Sequence, residues 1–317
     1  MALFLREEDT RRLVSLQDAI ELVETALRAK ARGRAANHPR VRAQAGGTGL
    51  NVLVASYADV GYLAVRAYST GGPGASNTVM LYSAEDARPV ALLQARWLSL
   101  ARTAAASAVA TRALAWPDAR VAAFIGAGRQ AVAHVEALRL VRDLASVRCY
   151  APTREHAEAL ASQAAAHGLE GRATATAAEA VEGADIVTVA TTARAVVLEG
   201  RWLAPGMHVN AVGANWATDR ELDAEAVLAA DLIAVDDLEN ARGECGDVLP
   251  LIADGRLRWE QLHDLGAILN GDAPGRTSPT AITIFESQGL GLEDVAVAAA
   301  AYERARAAGL GEELPLA

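Results

Sequence analysis

A glycine-rich turn between an apolar strand and a helix constrains this chain more than any other stretch. Residues 121–125 are Val-Ala-Ala-Phe-Ile, a run typical of a buried parallel strand. Gly126, Gly128 and Ala131 follow in the pattern Gly-x-Gly-x-x-Ala, and a helical run extends from there to Val141. Gly126 permits a tight turn, Gly128 lets a pyrophosphate approach the backbone, and Ala131 lets the helix pack on the strand. This context predicts dinucleotide binding at a helix N-terminus rather than a plain βα turn.

Strands and helices alternate on the carboxyl side of this turn, as in doubly wound nucleotide-binding domains. The sequence predicts strands at residues 146–150, 185–190, 207–212 and 231–236, and helices at residues 153–167 and 178–182. Trp116-Pro117-Asp118 marks the boundary before the first strand. We therefore predict an α/β protein whose Rossmann-type dinucleotide-binding domain covers residues 116–290.

The rest of the chain, residues 1–115 together with 291–317, predicts a smaller α+β domain. A helix begins after Ser15, which has an acid three residues on at Asp18, and Gly33 ends it. The further strands and helices predicted here are at 50–55, 61–68, 78–82, 90–94, 97–114 and 292–308. We expect the last helix to pack back on the first half of the chain.

Charge and cysteine content exclude several classes of protein. The 317 residues carry a formal net charge of −9 and no basic tract, so nucleic acid is not an expected partner. Two distant cysteines offer neither a disulfide framework nor metal-ligand spacing, which suits a reducing cytoplasm. The first residues are too acidic for a signal peptide, and no apolar run reaches the roughly 18 residues of a membrane span. We therefore expect a cytoplasmic protein with neither a membrane segment nor a metal site.

A series of further motifs occurs in one order along the chain. They are Arg102-Thr-Ala-Ala-Ala-Ser107, Gly126-Ala-Gly-Arg-Gln-Ala131, Ala184-Asp-Ile-Val-Thr-Val-Ala-Thr191-Thr192, Pro205-Gly-Met-His-Val-Asn-Ala-Val-Gly213, Glu221-Leu-Asp223, Gly246-Asp247, Gly275-Arg-Thr277 and Ile282-Thr-Ile-Phe-Glu-Ser287-Gln-Gly289. Any one of them would be weak evidence. Together, at this spacing, they make the chain resemble the ornithine cyclodeaminase/μ-crystallin family over nearly its whole length.

The resemblance implies a Rossmann domain that binds a nicotinamide cofactor and a smaller domain that binds substrate and pairs two subunits through its sheet. The family includes ornithine cyclodeaminases, alanine dehydrogenases and ketimine reductases, and some members mainly bind ligands. We therefore predict a homodimeric NAD(P)H-dependent imine reductase or amino acid dehydrogenase that acts on a small amino, imino or keto acid. The alternatives are ammonia-eliminating cyclisation with bound NAD and cofactor-dependent ligand binding of the μ-crystallin kind.

The resemblance places substrate-binding residues at Arg40, Arg66, Arg102 and Thr103. A guanidinium holds a carboxylate through two parallel hydrogen bonds, which suits an amino or imino acid. Arg40 follows a proline, and Arg102 lies among small apolar residues. Arg42 would share the face of Arg40 on a strand, so the two could be confused. A solvated surface charge is the alternative interpretation of each arginine.

Arg66 is the first of two predicted catalytic residues, and it departs from the family pattern. The family usually carries a substrate-facing lysine there, and arginine, unlike lysine, effectively cannot lose a proton. Proton transfer by this residue is therefore in doubt. A second carboxylate clamp, which would suit a substrate with two acid groups, and a strand-edge salt bridge are the alternatives.

Asn215 is the second predicted catalytic residue, and it also departs from the pattern. Cyclodeaminases carry an aspartate at this position, whereas asparagine is no general base at neutral pH. The change argues against ring closure, which requires a second amine to be activated. Asn215 can still hydrogen-bond an imine nitrogen, and the alternative is a loop or helix-cap residue.

The end of the second Rossmann strand bears on the choice of cofactor. NAD-binding units usually place an acid there, but Thr153 and Arg154 precede any carboxylate in this chain. A 2′-phosphate would meet no repulsion, so we predict NADP in preference to NAD, with Arg154 as a plain surface residue the alternative. The predicted cofactor-binding residues are Gly126, Gly128, Arg129, Gln130, Thr153, Arg154, Thr191, Thr192, Gly213, Ser287 and Gly289.

The remaining reactive side chains have structural interpretations. His208 lies inside a predicted strand and is expected to be a hydrogen-bonded core residue, and Cys245 is expected to pack rather than to act as a nucleophile. The histidines show no ligand spacing. Glu286 stands where the family often has a lysine, directly before Ser287.

Overall fold

The computed structural model describes residues 1–315. From the amino end the elements are β1 (Ala2–Leu5), α1 (Glu7–Leu13), α2 (Leu16–Ala31), β2 (Ala35–Asn37), β3 (Val41–Ala45), β4 (Thr48–Tyr57), β5 (Tyr62–Thr70), β6 (Asn77–Ser83), β7 (Pro89–Gln94) and α3 (Arg96–Leu114). They continue with β8 (Val121–Ile125), α4 (Arg129–Leu138), β9 (Ser146–Tyr150), α5 (Arg154–Ala166), β10 (Glu170–Ala173), α6 (Ala177–Val181), β11 (Ile186–Val189), β12 (His208–Ala211), α7 (Ala224–Leu228), β13 (Leu232–Val235), α8 (Leu238–Glu244), α9 (Leu249–Ala253), β14 (Leu262–Asp264), α10 (Leu265–Asn270) and β15 (Thr283–Glu286). The last two are α11 (Gly291–Ala308) and β16 (Glu312–Leu314).

The chain divides into two compact units. The first unit comprises Met1–Ala105 with Gly289–Ala317, and the second comprises Ala106–Gln288. The division falls within α3, at 105/106, and before α11, at 288/289, whereas the sequence predicts domain boundaries at 115/116 and 290/291. The roles of the two domains in substrate and cofactor binding stay predictions.

A single mixed sheet organises the first unit. Its strands lie in the order β16-β1-β7-β6-β5-β4-β2, with β3 paired to β4, and only the β1–β7 pair is parallel. Alternation along β4 buries Leu53 and Ala55 and leaves Leu50 and Val54 exposed. The long helix α11 packs against β4, β5 and α2, so it covers the inner face of the sheet. The prediction that the last helix packs back on the first half of the chain is therefore confirmed.

The predicted helix start at Ser15 is also confirmed. The Ser15 hydroxyl accepts the Asp18 N–H at 3.1 Å, and the Asp18 carboxylate accepts the Ser15 N–H at 2.8 Å. This reciprocal pair satisfies two N–H groups that the first helical turn cannot satisfy itself. Gly33, with φ of +71°, follows the end of α2, where a left-handed residue suits glycine.

The second unit is an all-parallel sheet with helices on its faces. Its strands lie in the order β10-β9-β8-β11-β12-β15-β13-β14. Phe124 and Val147 pack with Leu138 in one core layer, while Ile125 and Val209 belong to the other, which explains why these strands are apolar throughout. The strand order reverses between β8 and β11, and ligands of such sheets bind outside the carboxyl ends at this point. The predicted α/β fold with a Rossmann-type sheet is confirmed.

Several strands were not predicted from the sequence. β3 is almost wholly exposed, and β10 alternates between exposed and half-buried residues, so neither has an apolar run to reveal it. β15 is fully buried and central, but its four residues occur within a stretch that was interpreted only as a motif. Across residues 1–315, no helix is both long and apolar enough to cross a membrane.

Candidate functional site

The turn after β8 has the conformation that the glycine pattern predicts. Gly126 has φ of +100°, a backbone conformation that side chains rarely adopt. A Cβ atom at this position would lie 2.4 Å from the carbonyl oxygen of Ala190. Glycine is therefore required here both by the backbone angle and by the close approach of the segment that follows β11.

Gly128 differs from Gly126, because its backbone angle would suit any residue. What glycine provides here is open space in front of the helix N-terminus. It is the N-cap of α4 with φ of −82°, and a Cβ there would meet nothing within 4 Å in the described part of the chain. Gly128 has no side chain to cap the first N–H groups of α4, where Arg129 and Gln130 begin the helix. Open space beside unsatisfied N–H groups at a helix N-terminus fits a pyrophosphate.

The segment after β9 is compatible with Arg154 as a ligand of a 2′-phosphate and with Arg154 as a plain surface residue. Thr153 is exposed and is the N-cap of α5. Arg154, also exposed, forms an ion pair with Glu158 through Nε and Oε1 at 2.7 Å. An exposed pair of this kind contributes little stability and can rearrange around a ligand. The preference for NADP over NAD stays a prediction.

The segments after β11 and β12 are joined by a glutamate that the site prediction did not include. Glu221 Oε1 accepts the backbone N–H of Thr191 at 2.9 Å and also its hydroxyl. The loop after β12 also lies against this carboxylate, since a Cβ atom on Gly213 would be 2.1 Å from Glu221 Oε2. Thr192 is exposed beside Thr191. The motif Glu221-Leu-Asp223 was visible in the sequence, but nothing in it indicated which backbone groups its acid would meet.

Two further buried carboxyl groups accompany Glu221. Asp247 Oδ1 accepts the backbone N–H groups of Glu221 at 2.8 Å and Leu222 at 2.9 Å. Glu286, the last residue of β15, accepts the Cys245 thiol through Oε2 at 3.5 Å. Within residues 1–315, no lysine or arginine forms an ion pair with any of these three acids. We call Glu221, Asp247 and Glu286 the acid cluster.

Burial changes the proton affinity of the acid cluster. It raises the pKa of Glu221 to about 7, against the hydrogen bonds from Thr191, and raises the pKa of Asp247 to about 6. Burial, assisted by the charge of Asp247, raises the pKa of Glu286 well above its ordinary value. The cluster therefore keeps at least one proton near neutral pH, because three adjacent buried carboxylates repel one another.

Cys245 and His208 occupy the structural positions that the sequence indicated. Burial raises the pKa of the Cys245 thiol well above its ordinary value, so the thiolate that a nucleophile requires is disfavoured. His208 is buried, with Nδ1 2.9 Å from Thr283 Oγ1 and Nε2 3.2 Å from Asn210 Oδ1. In the described residues, no three or more His, Cys, Asp or Glu side chains are arranged so that they could hold a metal ion.

Asn215 and Ser287 lie at the carboxyl edge of the second-unit sheet. Asn215 is half-buried in the loop after β12, next to the exposed Trp216. Ser287 directly follows β15, and its backbone N–H donates to the carbonyl of Ala211 at 2.9 Å. Loops at this edge of a parallel sheet are where ligands bind, so both positions are compatible with the predicted roles.

Three arginines predicted to bind substrate are brought together in the first unit. Arg40, Arg66 and Arg102 are all buried, and Arg40 and Arg66 lie over the ring of Tyr68 at 6.0 and 4.8 Å from its centroid. Arg40 Nη2 donates to the carbonyl of Gly289 at 3.0 Å. Arg42 is only half-buried on β3. The structure thus groups Arg40, rather than Arg42, with the other two arginines.

Each nitrogen of Arg66 already has a protein partner. Nε donates to Asn77 Oδ1 at 3.1 Å, Nη2 to Ser99 Oγ at 2.7 Å, and Nη1 to Asp294 Oδ2 at 3.3 Å. Burial lowers the pKa of Arg66 from its ordinary value, and the charge of Asp294 opposes this effect. Because β5 lies inside the sheet, the ion pair is internal rather than at a strand edge.

Arg102 is paired with two acids of α11. Its Nη1 donates to Glu293 Oε2 at 2.7 Å, and its Nε lies 3.2 Å from Asp294 Oδ1. Burial acts to lower the pKa of Arg102, but Asp294 and Glu293 together raise it above its ordinary value. Thr103 uses its hydroxyl to donate to the Ser99 carbonyl at 2.8 Å.

Gly289 lies against these arginines. It has φ of +78°, and a Cβ there would lie 2.6 Å from Arg102 Nη1. Gly289 was predicted to contact the cofactor. In the structure its carbonyl accepts a hydrogen bond from Arg40, and its Cα lies beside the Arg102 guanidinium. The positive φ favours glycine at this position, and the buried Arg102 guanidinium beside it leaves little room for a side chain.

Comparison with known proteins confirms the family resemblance over nearly the whole chain. The sequence profile of the ornithine cyclodeaminase/mu-crystallin family matches residues 2–309. Alanine dehydrogenase of Archaeoglobus fulgidus is 32% identical over 320 residues, covering 98% of this chain and 98% of that protein.

Two solved structures are closely similar. The first is Delta(1)-pyrroline-2-carboxylate reductase of Thermococcus litoralis in complex with NADH and L-proline. It has a TM-score of 0.94 and 32% sequence identity, with 98% of this chain and 100% of that chain covered. The second is an archaeal alanine dehydrogenase dimer with bound NAD. It has a TM-score of 0.94 and 31% identity, with 100% and 99% covered.

Proposed function

Because the chain belongs to the ornithine cyclodeaminase/mu-crystallin family, we propose that it is an NAD(P)H-dependent oxidoreductase acting on the C–N bond of a small amino or imino acid. The observation that carries the proposal is the cluster of buried arginines Arg40, Arg66 and Arg102. Arg66 and Arg102 are paired with acids of α11, which makes their burial tolerable, and a guanidinium also matches a substrate carboxylate geometrically. The relatives that bind L-proline with NADH, or are named for alanine, support an amino or imino acid as the ligand.

The residues of the second unit fit a dinucleotide. Gly126 shapes the turn, and Gly128 leaves open space at the start of α4 beside Arg129 and Gln130. Thr191, Thr192, Gly213 and Ser287 follow strands at the carboxyl edge, where a dinucleotide would cross the sheet. When bound, the nicotinamide supplies or accepts a hydride. The protein contributes the phosphate-binding N–H groups and the positions of the edge loops.

The substrate residues act by binding and orientation. Arg102 and Arg40 hold the substrate carboxylate. Arg66 packs on the aromatic ring of Tyr68, on which Arg40 also lies, and so orients its neighbours. Because Arg66 is bonded to Asn77, Ser99 and Asp294 and does not readily lose a proton, it orients rather than transfers protons. Asn215 is assigned the hydrogen bond to the substrate nitrogen. A neutral amide there suits reduction of an imine, which is already an electrophile.

The test is the oxidation of NADH and NADPH followed by absorbance. Pyruvate, glyoxylate and oxaloacetate are each offered with ammonia and with methylamine, alongside a cyclic imino acid such as pyrroline-2-carboxylate. Turnover with one of them is the expected result, and the faster cofactor decides between NADP and NAD. Ammonia release from ornithine without net change in the nicotinamide absorbance would instead indicate cyclodeamination. Tight nucleotide binding without turnover in any mixture would indicate a binding protein.

A homodimer formed through the sheet of the first unit belongs to the same proposal. The outer face of this sheet exposes Val41, Leu50, Val54 and Leu63, with 65, 46, 39 and 38% of each residue accessible. Their strands are adjacent, because β3 pairs with β4 and β4 with β5. Contiguous apolar surface of this kind marks interaction sites, and a second copy of the chain is supported by the dimeric archaeal relative.

Val54→Glu tests the dimer. A charge in the centre of an apolar interface is costly to bury, so we expect the variant to elute as a monomer where the wild type is a dimer. Leu140→Glu, at a similarly exposed leucine of the second unit, is the control and should remain dimeric. Size-exclusion chromatography with light scattering gives the masses. A monomeric wild type, or an unchanged mass for Val54→Glu, would contradict this interface.

A further inference from the structure

Glu221 connects the two loops that end at the carboxyl edge of the second-unit sheet. Its Oε1 receives both the N–H and the hydroxyl of Thr191, after β11. On the other side, a Cβ on Gly213, after β12, would lie 2.1 Å from Oε2, so this loop packs directly on the carboxylate. The backbone of Glu221 is in turn held by Asp247 at 2.8 Å. The Glu221 side chain therefore sets the spacing between two loops, and Asp247 holds the Glu221 backbone in place.

The surroundings of Glu221 leave its charge without an ion-pair partner. Its Oε2, Asp247 Oδ2 and Glu286 Oε1 are buried atoms that lack a hydrogen-bond partner in the described structure. The charges that act on the cluster from neighbouring elements are those of Asp236 on Glu286 and of Arg220 on Asp247. Arg220 is exposed, so solvent screens its effect.

The proton on Glu221 is exchangeable in the neutral range. Burial raises the pKa of this carboxyl to about 7, and the neighbouring charge of Asp247 acts in the same direction. The group is therefore mostly protonated and neutral at pH 6 and mostly ionised at pH 8. A buried charge that appears over this interval acts on whatever binds against the two loops.

We propose that Glu221 is a positioning residue for the nicotinamide half of the cofactor, and that its charge state decides how strongly the site prefers oxidised over reduced nicotinamide. The inference rests on the proposed cofactor site. The second half of a doubly wound sheet receives the nicotinamide half of a dinucleotide, and β11 and β12 are its first strands. Oxidised nicotinamide carries a positive charge and reduced nicotinamide carries none. Ionised Glu221 therefore strengthens binding of NAD⁺ and leaves that of NADH nearly unchanged.

The test is the dissociation constants of NAD⁺ and NADH at pH 6 and pH 8, measured by calorimetry without substrate. NAD is used rather than NADP, because a 2′-phosphate itself titrates near pH 6. For the wild type, the ratio of the NAD⁺ constant to the NADH constant should fall about three- to tenfold between pH 6 and pH 8, as one partly screened unit charge would cause. A ratio that does not change with pH overturns the inference.

Three variants separate charge from position. Glu221→Gln keeps an acceptor for Thr191 but cannot ionise, so NADH binding should persist and the ratio should lose its pH dependence. Glu221→Ala also removes the acceptor and should weaken both nucleotides about tenfold. Asp247→Asn keeps its acceptor and removes a neighbouring charge, so the pH at which the ratio changes should move lower. Glu239→Gln, on the exposed surface of α8, removes one charge elsewhere and should behave as the wild type.

Failure of this inference is distinguishable from failure of the proposed function. If neither nucleotide binds the folded wild type, both fail. If both nucleotides bind and Glu221→Gln keeps the wild-type dependence of the ratio on pH, the cofactor site stands and the role of Glu221 is refuted. If Glu221→Ala binds both nucleotides as the wild type does, the positioning role is refuted.

Discussion

Arg102→Lys is expected to lower kcat/KM for the imino acid substrate by about a hundredfold or more, while the affinity for NADH stays unchanged. Lysine keeps the positive charge that balances Glu293 and Asp294 in the buried cluster. It loses the planar fork that can bind a carboxylate through two hydrogen bonds, a loss of roughly 3 kcal/mol. Steady-state kinetics with varied imino acid at saturating NADH, together with a direct titration of NADH, separate the two effects.

The choice of lysine at position 102 keeps the protein folded. Arg102→Met would leave two buried carboxylates without their counter-charge, and breaking a buried pair in this way costs about 3–5 kcal/mol of unfolding free energy. Arg306→Lys, on the exposed side of α11, is the matched control and should keep wild-type kinetics. An Arg102→Lys protein with wild-type melting temperature and wild-type KM for the imino acid would show that this arginine does not hold the carboxylate.

Gly126→Ala and Gly128→Ala are expected to fail in different ways. At Gly126 the new methyl group would meet the Ala190 carbonyl at 2.4 Å on a backbone with φ of +100°. We expect a loss of about 3 kcal/mol or more in unfolding free energy, from strain and close contact together. The melting temperature should fall by about 5 °C or more.

Gly128→Ala should leave the melting temperature within about 1 °C of the wild type, because the added methyl group meets no described atom within 4 Å and the backbone angle suits alanine. It should nevertheless weaken NADH binding at least about tenfold, because the methyl group occupies the space through which a pyrophosphate reaches the backbone. Thermal melts and NADH titrations of both variants give the comparison. NADH affinity equal to that of the wild type in Gly128→Ala would mean that the phosphates bind elsewhere.

The sequence alone predicted the architecture because its signals are local. Five apolar residues followed by Gly126 and Gly128 predict a strand, a turn and a helix, and each of these depends on neighbours along the chain. The capping pair of Ser15 and Asp18 spans three residues and was predicted for the same reason. β3 was missed because its residues are exposed, so no hydrophobic pattern distinguishes it from a loop.

The site depends on contacts between residues that are distant in sequence. The family resemblance identified Arg40, Arg66 and Arg102 as candidate substrate residues. It did not decide whether Arg66 binds a second substrate carboxylate or forms a salt bridge within the protein. Asp294, which pairs with Arg66, is 228 positions away along the chain. Glu221 appeared only as a motif residue, because its partner Thr191 is 30 positions away and its burial is decided by the packed sheet.

By itself, the sequence determined the Rossmann-type domain, the smaller α+β domain, the glycine turn and the family. These follow from hydrophobic periodicity, from residues that permit unusual backbone angles and from motif order. Only the tertiary structure decided that each nitrogen of Arg66 is already bonded, that Gly289 lies against Arg102, and that Glu221 joins two loops while sharing its surroundings with Asp247 and Glu286. The physical reason is that desolvation and hydrogen-bond partners are set by which segments fold against each other, and these set the proton affinity of a buried acid.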